Sequence, residues 1–419
     1  LWLGRVAPVG GWRRVWETAL GWPFLVSSSV AGLAGIELLG GTRWAYRFEG
    51  VVFMMVLINA PWIALRLAQA RAMVNPHLLE QARVLGAGFF ASFRFVVFPG
   101  VVSAAALAAL EVYLICSSSM ALVMLLGGGP PIETLEVVLY SRLRSGFFEP
   151  SALLATLFWV VVVYSPAWIG LSRLSRRLET LLPVGVQSEG SRPGRVAQAG
   201  VLALSAMSLA PWIWITCRGL WLGRQLRPET WGAFAGSLAM SLAVALSVAA
   251  GTVLLVLAIF THPRMSRSGV VRWVAGSVMA SAVPPMLFAL IFLATFIRFF
   301  DFFSYPLPTL SLLLLWAHLP FALRALAPWA LTRADRLLEA AQVLGASPRR
   351  AWVVVEWPRW RAGIASTFGV LVSLLLGESA LTWLFSNSDG VPWVTLLLAR
   401  WGGQYQLEAA RFGVAALLS

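Results

Sequence analysis

Predominantly apolar stretches of about 20 residues or more recur along this chain, for example from Ser151 to Leu171, from Ala233 to Phe260 and from Thr309 to Leu331. A helix of that length crosses the hydrocarbon core of a bilayer. Inside hydrocarbon a spanning segment has to satisfy its own backbone, so these long runs read as helices. The composition agrees. Hydrophobic residues make up 59% of the chain and charged residues 12%, where soluble domains carry about 25% charged residues. The expected fold is therefore an all-α polytopic membrane protein, with the lipid bilayer as its first partner. Apolar length and Arg-rich gaps place about ten helices, near 17–40, 51–73, 99–126, 150–172, 198–217, 232–260, 271–298, 309–331, 358–386 and from about 407 onward.

A short segment occurs twice. Glu80-Gln81-Ala82-Arg83-Val84-Leu85-Gly86-Ala87 returns 259 positions later as Glu339-Ala340-Ala341-Gln342-Val343-Leu344-Gly345-Ala346. At the same offset Val96 maps onto Val355, Pro99 onto Pro358 and Pro61 onto Pro320. A match of this length means two copies of one unit in a single polypeptide. It aligns span 51–73 with 309–331 and span 99–126 with 358–386. The expected domains are a first half, 1–178, a cytoplasmic linker, 179–197, rich in Gly, Ser and Pro, and a second half, 198–419. The chain opens at Leu1-Trp2 and stops at Leu418-Ser419 within an apolar run, so the first half is expected to be incomplete at its N-terminus and the second at its C-terminus.

Arginine placement sets the orientation. The formal net charge is +14, which in a soluble protein would point to nucleic acid. Here the Arg residues sit in short loops between apolar spans, so no nucleic-acid partner is expected. One set of alternating loops, including Arg66 to Arg94 and Arg324 to Arg361, is much richer in Arg than the other and is assigned to the cytoplasm. Both copies of the repeat then face the cytoplasm. Six helices separate them, an even number, so the halves run in the same direction and are related by a pseudo-two-fold axis along the membrane normal. A dimeric engine on that face would find one docking site per half.

All 32 basic residues are Arg. A P-loop needs its Lys on the nucleotide phosphates, so ATP-driven work has to come from a separate subunit. Only His77, His262 and His318 are present, far apart, and no metal site or cofactor is expected. Cys116 and Cys217 read as small buried residues within spans. The tryptophans Trp212, Trp214, Trp221 and Trp231 read as an interfacial belt.

Each repeated segment reads as a short cytoplasmic helix closed by a left-handed glycine, Gly86 or Gly345. Such a helix between two spans can act as a lever, pressing on a soluble partner and passing rigid-body motion to the membrane. Glu-x-Ala, then Gly at a fixed distance, then a Pro opening the next span, resembles the coupling-helix signature of ABC importer permeases. It stands here as Glu80, Ala82, Gly86 and Pro99, and as Glu339, Ala340, Ala341, Gly345 and Pro358. The first copy departs at Gln81, where the fuller pattern has Ala. Two copies on one chain resemble the fused permeases of the iron and thiamine importers. Leu126-Gly127-Gly128-Gly129-Pro130, Thr134 to Tyr140, and Gly377-Glu378-Ser379-Ala380 resemble the thiamine branch. The resemblance implies a bacterial inner-membrane permease without catalysis of its own. An ABC ATPase dimer drives it from the cytoplasm, and a periplasmic or lipid-anchored binding protein delivers the solute. Thiamine or a thiamine phosphate is the expected cargo, with ferric iron or a polyamine as alternatives. An ATP-independent secondary transporter is the competing class.

Ionisable residues inside spans are costly and mark pathways. Glu378 and Glu111 are the candidate substrate-pathway residues, since a carboxylate attracts a cation; the plainer role for Glu111 is a bond to a neighbouring Ser or Arg. Asn59 and His318, which match at the 259 offset just before Pro61 and Pro320, are expected to satisfy carbonyls freed by those prolines. The loop 127–149, with Glu133, Glu136 and Glu149, is a candidate docking surface for a binding protein.

Overall fold

The computed structural model describes residues 21–40, 42–72, 74, 76–127, 132–144, 155, 158–167, 169–170, 173, 195–224, 226–262, 265–281, 283–296, 304–332, 334–385, 393–403 and 407–418. Its regular structure is helical, without a strand among the described residues. In chain order the helices are α1 (Ser28–Leu39), α2 (Phe48–Ala72), α3 (Pro76–Val84), α4 (Phe89–Ser92), α5 (Phe98–Ser117), α6 (Met120–Gly127) and α7 (Leu135–Arg144). A short apolar helix α8 (Phe158–Ala167) follows. Then come α9 (Arg195–Gly223), α10 (Pro228–Phe260), α11 (Arg267–Ser281), α12 (Pro285–Phe296), α13 (Pro306–Leu331) and α14 (Asp335–Val343). The last are α15 (Pro348–Ala351), α16 (Trp357–Leu376), α17 (Ala380–Leu384), α18 (Val394–Gly403) and α19 (Leu407–Leu418). The expected linker 179–197 lies almost wholly outside the described residues.

Among the described residues four stretches are long and apolar enough to cross a membrane, Phe48–Leu67, Pro228–Phe260, Pro306–Leu331 and Pro348–Leu384, or five if the bent pair Ala104–Ser117 and Met120–Gly127 is one span. Their most apolar windows are only 33–50% buried within the protein. The remaining apolar surface has no partner among the described residues, as expected of lipid-facing helices. A multi-pass helical membrane protein follows.

The repeat is written into the element boundaries. α3, α5 and α7 return 259 residues later, to the residue, as α14, α16 and α18; α2 returns as α13 with the same C-terminus. Three expected spans are not single helices, among them 358–386, which divides into α16 and α17 at Gly377-Glu378-Ser379. The span at 99–126 breaks at Ser118-Ser119, and Ala104–Ser117 meets Met120–Gly127 at 58°. Ser117 Oγ donates to the Leu114 carbonyl at 3.0 Å and Ser118 Oγ to that of Ile115 at 3.2 Å. Hydroxyls that bond back onto the preceding turn compete with the helix ladder. The span at 271–298 divides into α11 and α12 around Pro284-Pro285, which removes two amide donors in a row.

Nor does Pro99 or Pro358 open its span. The helix starts ten residues earlier, at Phe89 and at Pro348, and passes through a π-helical turn, Phe93–Val97 in one copy and Trp352–Glu356 in the other. Phe98 N–H bonds the Phe93 carbonyl, five residues back, and Trp357 N–H bonds that of Trp352. A π turn re-registers the ladder beside a residue without an N–H. In the second copy Ser347 caps the new helix, accepting from Arg350 N–H at 3.4 Å, with Pro348 at its first position.

The chain divides into two compact units. The first holds α1 to α6, α8 and α9, most of α7, and residues 398–419. In it α1 packs on α6 and α2, α2 packs on α5, and α9 packs along α19. The α9–α19 approach is close because Gly219 and Gly223 lie one turn apart. A Cβ on Gly219 would sit 2.4 Å from that of Ala415, and one on Gly223 2.2 Å from the Phe412 ring. Glu37 of α1 joins the three helices, 3.0 Å from Arg218 of α9 and bonded to Arg411 of α19. The second unit is mainly 228–397. There α13 packs against α10, α11 and α16 around a core that includes Leu310, Leu313, Leu314, Leu326 and Leu371.

Two expectations about single residue types change. Trp212 is fully buried, edge-on to Trp22 at 6.2 Å, while Trp214, Trp221 and Trp231 are exposed as a belt requires. Cys217 is exposed and Cys116 half-buried, and both are free thiols.

Candidate functional site

The two repeated segments adopt the same local structure. In α3 the ending is a Schellman motif: Ala87 N–H bonds the Ala82 carbonyl at 2.9 Å and Gly86 N–H bonds that of Arg83 at 2.9 Å. In α14 the same bonds run from Ala346 to Ala341 at 3.0 Å and from Gly345 to Gln342 at 2.9 Å. Gly86 has φ +78° and Gly345 φ +89°, the left-handed region that the sequence predicts for them.

Glu80 and Gln81 are exposed and Ala82 half-buried; Glu339 and Ala340 are exposed and Ala341 half-buried. Each helix is fixed by one leucine, Leu79 at 8% and Leu338 at 7% exposure. Leu79 packs with Ala70, Val97 and Val101. The repeat reads as a polar stretch in sequence, yet its tip is apolar and bare. Val84-Leu85 and Val343-Leu344 stand out beside each glycine, with Leu85 85% and Leu344 87% exposed. Outside the bilayer such a knob has no reason to stay in water.

The copies differ in how the helix is tied to the following span. In the second, Glu356 is 1% exposed within the π turn. It accepts from Ala334 N–H at 2.7 Å, at the entry to α14, and from Trp360 Nε1 at 2.9 Å. Arg359 bonds Glu356 at 3.4 Å and the Thr332 carbonyl at 2.7 Å. The equivalent of Glu356 in the first copy is Val97, held by apolar contacts alone. Nothing in the repeated octet signals this clamp; the buried Glu356 at a π turn is legible only in three dimensions.

The candidate pathway carboxylates lie in different settings. Glu111 of α5 pairs with Arg66 of α2 at 3.3 Å, and Arg66 stacks over Trp62 at 4.7 Å, so Glu111 ties two helices together. Glu378 sits in the break between α16 and α17, half-buried, and accepts from Leu381 N–H at 3.3 Å. Asn59 and His318 behave alike but not as expected. Asn59 Nδ2 donates to the Met55 carbonyl at 2.8 Å and His318 Nδ1 lies 2.9 Å from that of Leu314. Pro61 and Pro320 free the carbonyls of Leu57 and Trp316 instead, four residues before each proline. The side chains therefore double the bond their own backbone N–H makes. In the loop 127–149, Glu133 is exposed but Glu136 is wholly buried and is not a docking residue; Glu149 lies outside the described residues. Among the described residues no group of His, Cys, Asp and Glu has the make-up of a metal site.

The chain aligns with the thiamine transport system permease protein ThiP of Brucella abortus (strain 2308) at 27% identity over 386 residues, 89% of this chain and 69% of the relative. The chain resembles the thiamine transport permeases. The ThiP protein of Escherichia coli (strain K12) is 26% identical over 235 residues, 52% of this chain and 41% of its own. That of Salmonella typhimurium (strain LT2) is 25% identical over 189 residues, 43% and 34% of the respective chains. No family model and no solved structure matches the chain. The resemblance to ThiP runs across both copies of the repeat in the Brucella alignment, since 89% of the chain is covered and the copies lie 259 positions apart.

Proposed function

We propose that this chain is the permease subunit of an ABC importer in the bacterial inner membrane, carrying thiamine or a thiamine phosphate into the cytoplasm by alternating access. The observation that carries the reading is the recurrence of one exposed, Gly-terminated helix at a fixed offset, each copy tied to the span that follows it. In this reading the halves are 1–178 and 198–419, joined by 179–197. The Val-Leu tips with Glu80, Gln81, Ala82 and Gly86, and with Glu339, Ala340, Ala341 and Gly345, seat in the two clefts of a cytoplasmic ATPase dimer. A periplasmic or lipid-anchored binding protein delivers the cargo. The chain itself is not an enzyme; its lack of Lys leaves ATP hydrolysis to the partner. The names of the relatives support thiamine as cargo.

The test is uptake into proteoliposomes holding the permease, its cognate ABC ATPase and the cognate binding protein. ATP-dependent uptake of thiamine supports the proposal. Gly86→Asp and Gly345→Asp are expected to abolish uptake while the permease still purifies as a folded membrane protein. Concentrative uptake without the ATPase refutes it in favour of a secondary transporter, and retention of ferric iron or a polyamine by the binding protein refutes the cargo.

A further inference from the structure

The break in the second half is built from two positions. Glu378 lies between α16 and α17, and Thr395 of α18, fully buried, donates its hydroxyl to the Glu378 carbonyl at 3.3 Å. Shifted back by 259 residues, these positions are Ser119 and Glu136. Ser119 lies in the break between α5 and α6, and Glu136 lies on α7, whose bounds match those of α18 to the residue. Glu136 is 0% exposed. It lies within electrostatic range of Tyr164 of α8, which is itself 1% exposed. The carboxylate has thus changed places with a hydroxyl residue. One half has hydroxyl at the break and carboxylate on the next helix; the other has carboxylate at the break and hydroxyl on the next helix.

We propose that Glu136 is the first half's counterpart of Glu378, each a carboxylate that acts on a cationic cargo within its own half. The inference rests on the proposed transport of thiamine, whose thiazolium ring carries a fixed positive charge. A carboxylate removed from water interacts far more strongly with a cation than one at the surface. Burial also makes it costly, so a carboxylate kept there marks a candidate functional position. Glu111 is not the counterpart: at the 259 offset it maps to Val370, and it is committed to Arg66.

The test moves the charge within each half, in the proteoliposome system described above. Glu136→Thr and Glu378→Ser each lower ATP-dependent thiamine uptake by roughly ten- to a hundredfold, the loss expected for one charge-assisted contact. Adding Ser119→Glu to Glu136→Thr gives the first half the arrangement of the second, and adding Thr395→Glu to Glu378→Ser does the converse. Both double variants are expected to recover most of the uptake. A merely structural role predicts no recovery, because the moved carboxylate does not restore the original packing. Glu136→Gln keeps the shape and is the control for folding, and wild-type uptake in that variant overturns the inference. So does failure of either relocation in a protein that still purifies monodisperse and binds its ATPase. If the wild-type system imports no thiamine at all, the proposed cargo fails and takes the inference with it; if the wild type imports thiamine and relocation fails, the inference alone falls.

Discussion

Replacing Glu356 by Ala should loosen the second coupling helix and leave the first untouched. The substitution leaves two buried donors, Ala334 N–H and Trp360 Nε1–H, without the acceptor they hold at 2.7 and 2.9 Å. Each unsatisfied buried donor costs about 1–3 kcal/mol. The Arg359 contact adds little, at 3.4 Å with the guanidinium 39% exposed, and belongs with pairs worth less than about 1 kcal/mol. Some of the loss is offset because the carboxylate no longer has to be desolvated. A net local cost of about 3 kcal/mol is reasonable, equivalent to roughly a hundredfold loss of protection. Hydrogen–deuterium exchange of the reconstituted permease reads this directly. Amides from 334 to 344 should exchange roughly a hundredfold faster, while those from 75 to 85 keep their wild-type rates. Val97→Ala, the matching change in the first half, removes two methyl groups and should cost about 1–2 kcal/mol. Unchanged exchange at 334–344 in a folded Glu356→Ala protein refutes the clamp, as does equal loosening of both helices.

Gly345 has φ +89°, and a Cβ added there would meet nothing within 4 Å, so backbone strain rather than collision sets the cost of substitution. Gly345→Val should therefore lose about 1–2 kcal/mol of local stability by exchange measurements and Gly345→Asn distinctly less, since Asn tolerates the left-handed region. Leu85→Asp and Leu344→Asp should leave thermal stability within about 0.5 kcal/mol, because both leucines are exposed, yet abolish ATPase stimulation by the permease. Gly219→Leu, driven into Ala415 and the Arg411 carbonyl, should separate α9 from α19 and cost about 2–3 kcal/mol or more, read as a lower melting temperature in detergent. Glu111→Gln should cost less than about 1 kcal/mol and leave thiamine uptake within roughly threefold of wild type, whereas Glu378→Gln should not.

What the sequence makes legible here is whatever depends on apolar length or on a special backbone conformation. The spans announce themselves because a bilayer admits little else, and Gly86 and Gly345 because only glycine readily closes a helix in the left-handed region. The breaks at Ser118-Ser119 and in the run Gly377-Glu378-Ser379 are harder to see. Serine and glycine are tolerated in a membrane helix, and at the first break hydroxyl bonds back to the previous turn accompany the bend. The π turns leave no mark in hydrophobic periodicity, because one extra residue per turn rotates the apolar face without interrupting it. Glu136 is misplaced by the size and sidedness of the loop 127–149, which read as exposure, while the fold buries it.

The repeat changes meaning once these differences are put side by side. Where the copies agree in geometry, in the Schellman ending, the exposed Val-Leu tip and the π turn, the shared constraint on the proposed function is a partner with two equivalent clefts. Where they diverge, the substitution exchanges one means of holding a structure for another: Val97 for Glu356 behind the coupling helix, and Ser119 with Glu136 for Glu378 with Thr395 at the break. A duplicated chain facing a symmetric engine is free to vary what the engine does not touch. A cargo such as thiamine has no two-fold symmetry, so a pathway that recognises it has reason to vary there. On the proposed function, divergence at the break and at the helix behind it is the pattern expected of an asymmetric cargo beside a symmetric motor.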